Sequence, residues 1–405
     1  MATMSPTILS LYRLLDPEVL ADPYPLYRQL RDEAPVYWDP YLHVWVVTRH
    51  RDVVEVLRRF SAQRVPSAEK LGELGLAHLS PIARLMAEQM LFLDPPQHTR
   101  VRALVAAAFT PRRVEALRDH IQEVADTLVD AVSRQGGMDV MPDFAHRLPA
   151  IVMTRTLGTP AADYPRLKAW SEAFSDMLGA IQHNPGVAAG LLTRLEDMTS
   201  YFRAAVRQQA TGPATGLVAE IAAAEVDGDS LSEDEAVVNL ILTMVGAYET
   251  TSHLIGSGLL TLLRTPTELD RLRADPDLMP SAVDEMLRYE SPIQYTARLA
   301  LADTEFRGEH IAPGQAVLAL IGAANRDPDQ FPDPDRVDIT RRDNHHLAFG
   351  WANHFCLGAV LARAESAIAL STLIRRLPEI GLSAEPVRWR SNPAFRGPAS
   401  LTVAF

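Results

Sequence analysis

Four groups of residues in this chain have the types and spacing to do chemistry. Its only cysteine, Cys356, lies in Phe349-Gly350-Trp351-Ala352-Asn353-His354-Phe355-Cys356-Leu357-Gly358, ahead of a helical run with apolar spacing at Val360, Leu361, Ala364 and Ile368. A cysteine entering a helix meets the positive end of the helix dipole and free backbone N–H groups, which favour a thiolate over a thiol. That anion is a ligand for iron, whereas a lone cysteine without such surroundings is more often an inert buried residue. The second group is Gly246-Ala247-Tyr248-Glu249-Thr250-Thr251, a carboxylate beside a hydroxyl in the middle of a long apolar stretch. It reads either as a capping or solvent-facing patch or as an acid–alcohol pair that relays protons, with Gly246 leaving room for the backbone to bulge. Apolar residues on both sides favour the relay. Glu285 and Arg288 are three apart, share a helix face and can salt-bridge. His98 and Arg102 are four apart after Pro95-Pro96, a basic pair suited to carboxylates in a poorly hydrated site.

Helices must position most of these groups. Ser232 and Glu235 form a capping box that opens the long apolar helix through Thr251 and beyond. Thr110-Pro111 starts a helix carried by Val114, Leu117, Ile121, Val124 and Leu128 as far as Gly136-Gly137, and Thr265-Pro266 repeats the signal. Pro280 to Tyr289 reads as a shorter helix stopped by Pro292. Strand signals are fewer: a hairpin from Val36-Tyr37-Trp38 and His43 to Thr48, then Ile311 to Leu320 turning at Pro313-Gly314, then Leu401 to Phe405. The pattern predicts a mainly α fold with small β-sheets, one domain over 1–405, with β-rich portions about 36–48, 295–320 and 386–405.

Composition narrows the function classes. With 405 residues, 47% hydrophobic and 22% charged, and no low-complexity tract, the chain is an ordinary globular protein. A net charge of −12 argues against a general nucleic-acid binder, which needs a basic face. Met1 to Leu20 lacks a basic segment followed by an apolar core, so neither a secretory signal nor a membrane anchor is expected. Val237 to Leu263 is long enough to span a bilayer, yet Asn239, Glu249 and His253 suit the centre of a large protein better. One cysteine excludes an intramolecular disulfide and fits a reducing cytoplasm.

The decapeptide around Cys356 resembles the haem-binding signature of the cytochrome P-450 family, Phe-Gly-x-Gly-x-His/Arg-x-Cys-Leu-Gly, at Phe349, Gly350, His354, Cys356, Leu357 and Gly358. Ala352 replaces the usual second glycine; if that position needs positive φ, the methyl group costs about 1 kcal/mol. The Gly246–Thr251 segment is similar to the family's (Ala/Gly)-Gly-x-(Asp/Glu)-Thr-(Thr/Ser) motif, with Ala247 where glycine is commoner. Glu285-Met286-Leu287-Arg288 resembles its Glu-x-x-Arg element, which joins an arginine in a later Pro-rich loop, for which Pro334-Asp335-Arg336-Val337 supplies Arg336. The motifs occur in the family's order along nearly the whole chain.

The resemblance implies a soluble bacterial-type haem-thiolate monooxygenase. Cys356 would ligate the iron of haem b and favour O–O cleavage, while His98, Arg102, Arg298 and His354 would hold the propionates, with Phe349 and Gly358 also against the cofactor. Glu249 and Thr250 would help deliver protons during O2 activation, and Glu285, Arg288 and Arg336 would hold the thiolate loop. Leu242, Val245, Gly246, Ile293, Gln294, Ala394, Phe395 and the loop before Asp94 would line a pocket for a lipophilic substrate, a secondary metabolite, with further walls from Ser61 to Met90 and Ala173 to Val187. Electrons would come from NAD(P)H through a ferredoxin reductase and a ferredoxin, docked on Arg100, Arg112 and Arg113, to a monomeric cytoplasmic protein. A peroxide- or nitric-oxide-using enzyme, an oxidative-coupling enzyme, a non-catalytic haem-binding protein and a purely structural α-helical protein are the alternatives.

Overall fold

A helix with a hydrophobic surface nearly all round is stable only when other elements cover every side, and the Glu233–Arg264 helix has that surface. Its N-terminus is closed by the reciprocal Ser232–Glu235 capping box, and it runs 32 residues, about 48 Å. In the computed structural model, which describes residues 9–106, 109–178, 185–209 and 216–405, it is the central element. The helices Arg147–Leu157, Tyr164–Leu178, Pro185–Gln209, Met279–Tyr289 and Ala359–Arg376 all pack against it. The stretch that could have crossed a bilayer is thus protein core, and no described helix is long and apolar enough to span a membrane.

The fold is mainly α with small sheets. The N-terminal hairpin pairs Val36–Asp39 with Val44–Val47, register Val36 to Val47. The second strand then lies parallel to Ala316–Ala319, which is antiparallel to Thr296–Leu299, with Arg298 opposite Val317. One strand expectation needs correction. The chain does turn at Gly314, whose φ is 81°, but the flanking strands do not pair with each other. Glu309–Ile311 pairs with Thr304–Phe306, while Ala316–Ala319 joins the four-stranded sheet. A local turn signal cannot say which distant edge a strand will find. Near the C-terminus, Thr402–Ala404 sits between Gly381–Leu382 and Gly137–Asp139, and Arg388–Trp389 pairs with Pro398–Ser400.

The helix that begins at Pro111 has Thr110 at its N-cap position, though without a side-chain cap hydrogen bond. The wall segments are more ordered than a loop reading implies. Ala68–Glu73 and Ser80–Ala87 are helical, and Ala173 belongs to the Tyr164–Leu178 helix; residues 179–184 lie outside the described residues.

Between the core and the Cys356 loop runs a long irregular stretch held by charge. Glu285 and Arg288, both fully buried, form a bidentate pair at 2.7 and 2.8 Å. The spare Arg288 donors go to the carbonyls of Asn325, Pro334 and Arg336 at 3.0, 2.8 and 3.1 Å. Arg336 itself needs correction: its side chain is exposed, and it joins the cluster by its main chain alone. Arg341, five residues on, brings its Nε to 3.2 Å from Glu285 Oε2. Both arginines follow the same Pro-rich turn, where Asp333 has a positive φ of 47°; the path of that turn sends the later one inward.

Removing one partner of a buried, hydrogen-bonded pair leaves an uncompensated charge, costing roughly 3–5 kcal/mol. Glu285→Ala should lower unfolding stability by that order, whereas Arg336→Ala should stay within about 0.5 kcal/mol of the parent. Equal effects in denaturant titrations would refute this reading of the cluster.

Candidate active site

The sequence Phe349–Gly358 builds a tight loop because two of its residues adopt left-handed backbone. Gly350 has φ 72°, and a Cβ there would meet the His354 carbonyl at 3.2 Å. Ala352 has φ 55°, the conformation for which glycine is the usual choice, and it opens the short turn Ala352–His354. The Cys356 N–H donates to the Phe349 carbonyl at 2.8 Å, fixing the cysteine at the mouth of the Ala359–Arg376 helix. That helix begins three residues beyond the cysteine, and the Gly358 N–H at its start is within hydrogen-bonding reach of the thiol. Burial pushes the Cys356 thiol up; the Gly358 N–H and the charges of Arg102 and Arg363 pull down and do not prevail.

Cys356 borders a cavity of about 320 Å³ between the Glu233–Arg264 and Ala359–Arg376 helices. Gly246, Thr250 and Thr251 form one wall, Phe349, Gly350, Leu357, Gly358 and Leu361 another. Thr250 Oγ1 donates to the Gly246 carbonyl at 2.7 Å. The expected bulge at Gly246 is absent: the helix is unbroken there, and the hydroxyl reaches the carbonyl without one. A Cβ at Gly246 would meet nothing within 4 Å, so the glycine widens the cavity. Glu249 is fully buried beside this wall, ion-paired to Arg390, and does not border the cavity. Desolvation raises its pKa to about 7 against the opposing pull of Arg390.

At one end the cavity is basic. His98 is buried with both ring nitrogens unpartnered, and its ring centroid lies 4.2 Å from that of His354. Burial keeps both imidazoles neutral, His354 down to about 3. Arg298 is buried with Nε unpartnered, and burial lowers it to about 10. Arg102 donates to the Phe355 carbonyl at 2.6 Å. Sequence reading missed Arg64, whose guanidinium lies 4.5 Å from the Phe92 ring centroid; burial, then the charge of Arg298, lower it to about 9. The signal that could have found it is the pairing of Ser61 with Leu299, which is tertiary.

The expected pocket residues divide. Leu242, Val245, Gly246, Ile293 and Phe395 border the cavity, joined by Met90 and Leu91 from the loop before Asp94. Gln294 and Ala394 do not. An antiparallel bridge joins Ile293 to Phe395, so their neighbours point to the opposite side; Gln294 Nε2 donates to the Ser291 carbonyl at 2.7 Å, and Ala394 is buried. Leu178, from the expected wall segment Ala173 to Val187, also lines the space, as do Leu57 and Phe109, which carry no local signal. So does Glu365, fully buried with Oε2 unpartnered. The expected docking arginines are altered too. Arg100 is bound to Glu235 and Asp229 and Arg113 to Glu220, because elements later in the chain bring acids over them, while Arg112 is exposed.

A mainly α fold enclosing an apolar cavity, with a cysteine at one side and paired bases at one end, defines a protein built around a bound prosthetic group. The family model for cytochrome P-450 matches residues 44–378. A biotin biosynthesis cytochrome P-450 from Bacillus subtilis is 36% identical over 392 residues, covering 96% of this chain and 97% of that protein. Among solved structures, P-450BioI in complex with acyl carrier protein ligated to hexadec-9Z-enoic acid superposes with a TM-score of 0.89 at 34% identity, covering 96% and 99% of the two chains. A myxobacterial cytochrome P-450 in complex with myristic acid gives a TM-score of 0.89 at 39% identity, covering 98% and 99%. This chain belongs to the cytochrome P-450 family, and its activity is that of a monooxygenase.

The family's haem-thiolate cofactor fits the residues present. Arg298 Nε and one ring nitrogen of the neutral His98 are donors awaiting acceptors. Arg102 and Arg298 border the cavity and Arg64 stands close enough to Arg298 to act on it, with Asp94 opposing Arg298, so this end carries positive charge that carboxylates would partner.

Left-handed backbone costs a non-glycine residue about 1–2 kcal/mol, while glycine costs about 0.4–1 kcal/mol through the unfolded chain. Ala352→Gly should therefore stabilise the protein by up to about 1 kcal/mol in denaturant unfolding; a clear loss would mean that the alanine methyl makes a contact worth more than the strain.

Proposed function

We propose that this protein is an O2-dependent haem b monooxygenase that takes electrons from a ferredoxin system and hydroxylates or epoxidises a lipophilic secondary metabolite in the cytoplasm. The observation that carries the reading is the convergence on one cavity of Cys356, Thr250 and a basic end formed by His98, Arg102, Arg298 and His354, in which the His98 ring nitrogens and Arg298 Nε have no partner. When bound, the haem supplies O2 activation at an iron held by Cys356. The chain's own part is to bind the two propionates at the basic end, keep water out with apolar walls and move protons. Glu249, with a pKa of about 7, exchanges a proton near neutral pH, and Thr250 presents a hydroxyl to the cavity through which that proton passes. The low charge of the remaining lining selects an apolar substrate, and complexes of relatives with a fatty acid and with an acyl chain on its carrier protein support a long-chain acyl group.

Reduced protein under carbon monoxide should absorb at the long-wavelength Soret position of thiolate ligation, and Cys356→His should move it to that of a histidine-ligated globin; a parent spectrum already of the globin type would overturn the assignment. Thr250→Ala should raise peroxide released per NAD(P)H with little change in haem content. Unchanged coupling would remove Thr250 from proton delivery, and product formed from peroxide but not from reduced ferredoxin would favour the peroxide-using alternative.

A further inference from the structure

Hydroxyls along the central helix are mostly satisfied by its own backbone. Thr250, Ser252 and Thr261 each donate to the carbonyl four residues earlier, at 2.7, 2.9 and 2.8 Å. Thr243 does not follow them. It borders the cavity, and its Oγ1 is sealed from solvent with no hydrogen-bond partner. Ser257 Oγ is also unpartnered, but that residue does not border the cavity.

A second polar side chain is left over beside it. Met90 and Leu91 border the same cavity, and the Met90 N–H donates to Asn239 Oδ1 at 3.0 Å, which ties their segment to the central helix one turn before Thr243. Gln89, next to Met90, is fully buried, and neither Oε1 nor Nε2 has a partner. Its backbone is satisfied: the N–H donates to the Met86 carbonyl at 3.0 Å and the carbonyl accepts from the Phe92 N–H at 2.9 Å. Only the carboxamide is unspent.

A buried polar group without a partner costs free energy that an apolar side chain of the same shape would avoid. Leu242 and Val245, the neighbours of Thr243 on the cavity wall, are such side chains, so a threonine and a glutamine here call for a ligand that completes them. Charge narrows the ligand. The bases that border the cavity, Arg102, Arg298, His98 and His354, stand neither on the central helix nor on the Met90–Leu91 segment. Arg64 belongs with them, since its charge acts on His354. A carboxylate beside Thr243 and Gln89 would therefore lack a counter-charge, whereas a neutral carbonyl oxygen has two lone pairs for two neutral donors.

We propose that Thr243 and Gln89 form a subsite that grips the neutral acyl carbonyl of the substrate, an ester, thioester or amide rather than a free acid. This deepens the reading of the cavity as the site of a lipophilic acyl group and rests on it. The Thr243 hydroxyl and the Gln89 Nε2 amide donate to the carbonyl oxygen. Thr243 precedes Thr250 by two helical turns, about 10 Å along the axis, so a chain held at its carbonyl extends its tail toward Thr250 and Cys356. A hydrocarbon leaves both donors unpaired, and a carboxylate gives up its water without gaining a cation.

The test titrates oxidised, haem-loaded protein with methyl decanoate, with dodecane as a hydrocarbon of similar length, and with decanoic acid at mildly alkaline pH, reading Kd from the Soret shift. Parent, Thr243→Val, Thr243→Ser and Gln89→Leu are compared, together with their thermal unfolding midpoints. Thr243→Val and Gln89→Leu should each raise the Kd for the ester by roughly three- to tenfold, the loss of one hydrogen bond, and leave that for dodecane unchanged or lower. Thr243→Ser, which keeps the hydroxyl, should stay near the parent. Decanoate should bind the parent at least about tenfold more weakly than the ester, and decanoate binding as tightly would overturn the preference for a neutral group. Thr243→Val should unfold at or above the parent midpoint; a clear drop would mean that the hydroxyl already has a structural partner, and the subsite falls. Equal losses for ester and dodecane would reduce Thr243 to packing and overturn its role, and a parent-like Gln89→Leu would strike Gln89 from the subsite. If dodecane shifts the band while Thr243→Val binds the ester like the parent, the subsite fails and the apolar-substrate reading stands. If no ligand shifts the band in a parent with a thiolate-type carbon monoxide spectrum, that reading falls and takes the subsite with it.

Discussion

Charge buried away from water governs this structure more than any sheet does. The Glu285–Arg288 pair lies at zero exposure, where each ion would be intolerable alone, and the Arg288 guanidinium is committed to Glu285 and three backbone carbonyls. Through the carbonyls of Asn325, Pro334 and Arg336, and through Arg341 and Asn344 on the carboxylate, it gathers a stretch of chain with little regular secondary structure. The Asn325 side chain then accepts from the Leu347 N–H at 2.7 Å, one short step from the Phe349–Gly358 loop. The position of Cys356 is thus inherited from an ion pair on another helix.

The same constraint runs through the cavity with opposite sign. At its basic end, arginines and neutral histidines are buried with donors left over, an arrangement that costs free energy unless an anionic ligand completes it. Behind the cavity wall, Glu249 is buried with Arg390 close enough to keep it ionisable near neutral pH. Structural pair, ligand cradle and proton-exchanging acid are three settings of one balance between desolvation and a partner's charge.

The central helix explains why these settings can coexist. It is long enough to touch most of the core, apolar enough to exclude water, and small at Gly246, so that one turn opens to the cavity while the next carries a carboxylate against the C-terminal loop. Thr250 and Glu249 are neighbours in sequence yet face different compartments, as successive residues of a helix must.

The sequence by itself determined whatever depends on local chemistry: the capping box at Ser232 and Glu235, the helix after Thr110-Pro111 and the hairpin at residues 36–47, which follow from spacing and backbone preference acting over a few residues. The cysteine loop, with Ala352 at a position where glycine is usual, and the acid–alcohol pair were legible through their resemblance to family motifs. Tertiary structure decided what depends on the path of a loop or on a distant neighbour. It chose Arg341 over Arg336, turned Gln294 and Ala394 out of the pocket wall, paired Ala316–Ala319 with strands far away in the chain, covered Arg100 and Arg113 with acids, and set Arg64 beside the basic end. Burial raised the Cys356 thiol where local dipoles alone would have lowered it. Desolvation is a property of everything packed around a group, so no stretch of neighbouring residues can state it in advance.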